Sequence, residues 1–95
     1  MLISIGYENF VKRASIVAVL RPDSSPARQL RRSAEEAGRL INATNGRKTR
    51  SIIVLQSGHI ILSALQPERI RERLHIPGPF SKGIEVDSPQ ELANP

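Results

Sequence analysis

The chain has no cysteine and no tryptophan, and its three aromatic residues are Tyr7, Phe10 and Phe80. Without cysteine there is no disulfide framework, no thiolate zinc site and no thiol nucleophile. So few rings argue against single-stranded nucleic acid, which is held largely by base stacking on aromatic platforms. No apolar run approaches the roughly 18 residues of a membrane helix. Met1–Gly6 also lacks the basic and apolar regions of a secretory signal, so the expected location is cytoplasmic. His59 and His75 stand alone, and no glycine-rich phosphate loop or carboxylate pair can be read. The expectation is therefore no metal, no cofactor, no catalytic residue and no small-molecule substrate. An enzyme would need a pocket built from Ser24, Ser25 and Ser57, which read better as caps and turns.

What remains is small and basic. Ninety-five residues, 39% hydrophobic and 24% charged, make one small domain. A core of that size is marginal alone, so oligomerisation is expected. Lysine and arginine number 14 against 9 aspartate and glutamate, and 11 of the 14 are arginine. The surplus is uneven: residues 1–74 hold 13 basic and 6 acidic residues, whereas 75–95 hold 1 and 3. The positive charge thus belongs to a folded part, residues 1–75, and not to a flexible Pro/Gly-rich tail over 76–95. A surplus of this kind points to a polyanion, nucleic acid first and an anionic membrane second. Arginine suits planar, bidentate phosphate contacts.

Local patterns predict an α/β (α+β) chain with a small, mostly antiparallel sheet, two hairpins, one main helix and a short C-terminal helix. Residues 2–5 and 15–20 read as strands, with a turn and a basic connection between them. Ser24 or Ser25 caps a helix whose first turn holds Pro26 and whose stop is Gly38. Asn45-Gly46 signals one tight hairpin, and Ser57-Gly58 joins strands over 51–56 and 59–64 as a second. Pro67 opens the last helix, which runs to about Leu74. The runs Ile16–Leu20, Ile52–Leu55 and Ile60–Leu62 are apolar without alternation, which predicts burial on both faces. The main helix offers only Ala27, Leu30, Ala34 and Ala37 as cover, so the second face is expected to meet another subunit; the alternative is a tight intramolecular sandwich.

The charges then divide. Arg31 with Glu35, Arg32 with Glu36, and Glu68 with Arg71 have helical spacing for ion pairs. Between Glu36 and Glu68 there is no acid, but there are Arg39, Arg47, Lys48 and Arg50. Three of these follow the Asn-Gly turn directly, with Thr44 and Thr49 hydroxyls as further donors to phosphate. The competing explanation is an edge strand protected from aggregation by charge. Lys12 and Arg13, with no acid between Glu8 and Asp23, are a second candidate cluster. His59, at a strand start, reads as structural.

The run Ala43-Thr44-Asn45-Gly46-Arg47-Lys48-Thr49-Arg50-Ser51, followed by Ser57-Gly58-His59-Ile60-Ile61-Leu62-Ser63-Ala64-Leu65-Gln66-Pro67-Glu68, resembles the RemA family of DNA-binding regulators of extracellular-matrix (biofilm) genes. The resemblance covers residues 2–74, with Ile5-Gly6, Asn9 and Ser24-Ser25-Pro26 in the expected order. It implies a ring-shaped homo-oligomer that contacts duplex DNA and bends or wraps it. It assigns DNA contact to Arg47, Lys48 and Arg50. Lys48 departs from an arginine, and Ser15 stands where a further arginine is expected, for which Arg13 or Lys12 could substitute. The expected function is a sequence-tolerant, double-stranded DNA-binding transcriptional regulator, nucleoid-associated. The alternative is an oligomeric scaffold that binds structured RNA or an acidic protein.

Overall fold

The computed structural model describes residues 1–75; the expected tail over 76–95 lies outside the described residues. Six strands and two α-helices follow in the order β1 (Leu2–Ser4), β2 (Phe10–Lys12), β3 (Ile16–Leu20), α1 (Ser25–Glu36), β4 (Leu40–Asn42), β5 (Ser51–Leu55), β6 (Ile60–Ser63) and α2 (Pro67–Leu74), with a short 3-10 turn at Arg13–Ser15. β1 and β2 form a hairpin, and the other four make a sheet ordered β3-β5-β6-β4. The fold is the expected α+β arrangement with a mostly antiparallel sheet.

Helix α1 starts and stops as its sequence dictates. Ser24 Oγ accepts the Ala27 amide at 3.2 Å, and Pro26 lies in the first turn, where its missing N–H is not needed. At the other end Gly38, at φ +72°, donates to Glu35 O, and Arg39 N reaches Ala34 O at 2.8 Å. These two bonds are the Schellman closure that a left-handed glycine permits.

β5 and β6 are buried on both faces, as their unbroken apolar runs require. Ile52, Ile60 and Leu62 point at Ala27 and Ala34 of α1. Ile53 and Ile61 point the other way, into a cluster with Ile3, Ile5, Val11, Ile70 and Leu74. The cover for the second face therefore comes from the β1–β2 hairpin and α2 of the same chain. The expectation that this face meets another subunit is corrected in favour of the intramolecular alternative, because residues 10–12 add a second strand to the hairpin layer. Ser63 Oγ donates to Ile5 O at 2.8 Å and ties that layer to the sheet. In α1, Ala27 and Ala34 are buried but Leu30 is exposed, so the helix packs through small side chains only.

Two expectations about turns need correction. The segment read as a basic connection contains β2, whose Val11 pairs with Ile3 across a two-residue turn at Tyr7 and Glu8. Asn45-Gly46 does make a tight turn: Arg47 N donates to Thr44 O at 3.0 Å, and both central residues have positive φ. It closes no hairpin, however. β4 runs parallel to β6 and β5 lies on the other side of β6, so the flanks of the turn never pair. The fold's two hairpins are β1–β2 and β5–β6.

β3 is an edge strand. Leu20 pairs with Ile52 and Ile16 with Leu55, but among the described residues β3 has no neighbour on its far side. Val17 there is 61% exposed. A groove of about 470 Å³ runs beside it, bounded by Ile16, Val17, Val19, Leu74, Arg13 and Arg71.

Candidate nucleic-acid interface

Strand register gathers the basic loops. Leu20 pairs with Ile52, Ser51 with Ser63 and Asn42 with Leu62, so the ends of β3, β4 and β6 meet the start of β5 at one end of the sheet. The loops leaving that end carry Arg21, then Arg47, Lys48 and Arg50, then Gln66-Pro67. Both helices begin there as well, α1 five residues after β3 and α2 four after β6, and add the positive ends of their dipoles.

A second tight turn braces this end. In Gly6–Asn9, Asn9 N donates to Gly6 O at 3.0 Å, while Tyr7 and Glu8 adopt φ 55° and 64°. Non-glycine residues seldom hold such values, and here Asn9 fixes them. Its Nδ2 donates to Gly6 O at 3.1 Å and to Ala43 O at 3.3 Å, so the two turns are tied together. Tyr7 thereby lies under Arg47, whose Cζ is 5.3 Å from the ring centroid. Stacking uses the flat face of a guanidinium and leaves its in-plane N–H groups free to donate.

Arg47, Lys48 and Arg50 are all exposed, and among the described residues none makes a side-chain hydrogen bond or ion pair. The carrier of this display is an extended segment and not the hairpin that the Asn-Gly signal had suggested. Of the two threonines, Thr49 is half-buried beside Lys48, but Thr44 is buried and its hydroxyl donates to Asn42 Oδ1 at 2.6 Å. That hydroxyl is therefore unavailable to phosphate.

The second candidate pair lies elsewhere. Lys12 is exposed on the outer side of β2. The Arg13 guanidinium donates twice to Leu74 O, at 3.2 and 2.6 Å, and so caps the C-terminus of α2. Replacing Arg13 with Ala should lower stability by about 1 kcal/mol, or several degrees in Tm, without changing duplex affinity, read by thermal melting beside a binding titration. Arg39 and Arg73 are similarly committed, donating to Ser57 O at 3.0 Å and Ser4 O at 3.2 Å.

The helical ion pairs read from spacing do not form: among the described residues the ion pair within 4.0 Å is Arg21–Asp23. In α1 each arginine precedes its glutamate, the weaker order for such pairs. His59 Nδ1 is 2.7 Å from Ser57 Oγ, in keeping with a structural role in the β5–β6 turn. Among the described residues no group of three histidine, aspartate or glutamate side chains could hold a metal ion, and no helix is long and apolar enough to cross a membrane. Sequence reasoning did not single out Arg21; its position directly after an apolar strand was the available signal.

Residues 2–74 match a family model described as "RemA-like: Extracellular matrix regulatory protein A-like". A relative from Nitratidesulfovibrio vulgaris (strain DSM 19637 / Miyazaki F) is 53% identical over 72 residues, covering 76% of this chain and 82% of its own length. One from Geobacillus kaustophilus (strain HTA426) is 44% identical over 80 residues, or 84% of this chain and 92% of its own. One from Thermodesulfovibrio yellowstonii (strain ATCC 51303 / DSM 11347 / YP87) is 52% identical over 75 residues, or 79% and 88%. The names of all three point to a regulatory role.

Proposed function

The chain belongs to the RemA-like family, and from that membership we propose that it is a non-enzymatic transcriptional regulator that binds double-stranded DNA as a homo-oligomeric ring. The single observation that carries the reading is the end of the sheet where Arg47, Lys48 and Arg50 stand exposed, with no acceptor of their own among the described residues. Cations held this way are free to take an external anion. A backbone that repeats phosphates suits a cluster with few groups able to read base edges, so recognition is sequence-tolerant and favours DNA that deforms easily. The protein works in the cytoplasm on the nucleoid, at matrix (biofilm) genes as the family's description suggests.

The ring draws support from the edge of the sheet. An open strand with an exposed valine beside a partly apolar groove is a surface that proteins generally cover. Ile41 on the opposite edge strand, β4, is exposed as well. Two unlike edges allow head-to-tail contact between copies, and such contacts close into rings when the rotation permits. A ring repeats a modest cation cluster many times along one duplex.

Titrating the purified protein against a long random-sequence duplex at several salt concentrations tests the reading. The logarithm of the association constant should fall linearly with the logarithm of salt, by about 0.9 for each phosphate neutralised. Absence of binding even at low salt overturns it. Preference for duplex RNA in competition would favour a scaffold for structured RNA, since A-form helices present a different phosphate geometry.

A further inference from the structure

We infer that Arg21 completes a cleft for one backbone phosphate of duplex DNA together with Lys48, Thr49 and Arg50, and that it engages the phosphate in exchange for Asp23. The inference rests on the DNA-binding reading above and deepens it by adding a contact from a different loop.

The cleft holds about 200 Å³ and is lined by Arg21 and Asp23 from one loop, Lys48, Thr49 and Arg50 from a second and Gln66 from a third. The sheet itself brings the walls together. Leu20 pairs with Ile52 in antiparallel register, so Arg21 leaves β3 beside the residues that lead into β5. Three cations then face one carboxylate, which leaves a net charge of +2. Like charges crowded in this way are relieved by an anion.

Asp23 is a weak occupant. Its Oδ1 lies 3.8 Å from Arg21 Nε, beyond a good hydrogen bond, and the two side chains are 71% and 72% exposed. Solvated pairs of this kind contribute little and exchange readily. A phosphate can accept from Arg21 and Arg50 together, with Lys48 as a point charge and Thr49 as a neutral donor. The backbone of Arg21 is prepared for this, because the residue before a proline, here Pro22, is held in extended conformation.

Duplex titrations of the full chain over a salt series, with Arg21→Ala, Arg21→Lys and Asp23→Asn, test the inference. Arg21→Ala should weaken binding by about 5- to 10-fold near 0.1 M salt and lower the salt slope by about 0.9 per engaged subunit. Arg21→Lys should keep the slope and lose part of the affinity. Asp23→Asn should bind about 2- to 5-fold more tightly, because the competing carboxylate is gone. Melting curves establish that the variants fold. Wild-type affinity and slope in Arg21→Ala overturn the inference and leave the DNA reading standing. Weaker binding by Asp23→Asn overturns the exchange. A wild-type chain that binds no duplex at all overturns both.

Discussion

Replacing Arg47, Lys48 and Arg50 together with alanine is expected to reduce duplex affinity by at least about 100-fold at 0.1 M salt and to flatten its salt dependence. Each cation removed is a phosphate no longer neutralised, and the loss recurs in every subunit that touches the same duplex. The fold should not notice. All three side chains are exposed and, among the described residues, make no side-chain hydrogen bond or ion pair. Surface changes of that kind stay within about 0.5 kcal/mol. Arg47 stacks on the ring of Tyr7. Fluorescence anisotropy between 0.05 and 0.2 M salt, beside thermal melting and light scattering, would read binding, stability and assembly separately. Near-wild-type affinity in the triple variant would remove this loop as the DNA contact. A lost melting transition would mean instead that the loop holds the two turns together.

How far such residues were legible depends on the distance over which their partners act. Local chemistry was readable: Ser24 and Gly38 bound α1, and Ser57-Gly58 closes β5 on β6, because a cap or a tight turn is settled within a few residues. The Asn45-Gly46 turn was readable as a turn but not as a connection. Its two flanks lie on opposite sides of β6, and that choice is made by pairings with residues 60–63 and not by the turn. The turn at Gly6–Asn9 was likewise readable, but the strand β2 that follows it and the shape of the turn were not. Tyr7 and Glu8 take positive φ without glycine, under the hold of Asn9 on Ala43, which is distant in sequence.

The same division applies to the charges. Composition and the acid-free stretch singled out Arg47, Lys48 and Arg50, since a missing local partner can be seen in a sequence. It could not separate Arg13 from them. The acceptor for Arg13 is the Leu74 carbonyl, 61 residues away, and only the fold brings it near. Arg21 fails in the reverse sense. Its neighbour Asp23 makes only a long and solvated pair with it, while the strand register brings its loop beside Arg50, with which it lines one cleft. A partner close in sequence is thus poor evidence that a cation is spent.

Changing Val17 to Asp or to Lys is expected to yield monomers at micromolar concentration, with duplex affinity down by about 10²- to 10⁴-fold, the range that linked sites supply by multivalency. Val17 is exposed in the single chain, so either substitution should leave the fold near its original stability. Against a neighbouring copy the same position would bury an unpaired charge, which assembly does not tolerate. The two signs separate assembly from electrostatics. By charge alone Lys should tighten binding to DNA and Asp should loosen it, whereas loss of the ring weakens both. Light scattering and the salt titration, run on the same samples, read the two effects. Intact rings in both variants would move the subunit contact away from β3, with the exposed Leu2 and Phe10 on the outer face of the hairpin as the next surface to test. A monomeric Val17→Lys chain that binds as tightly as the original would mean that one copy of the Arg47 cluster suffices, and that repetition around a ring is not what holds the duplex.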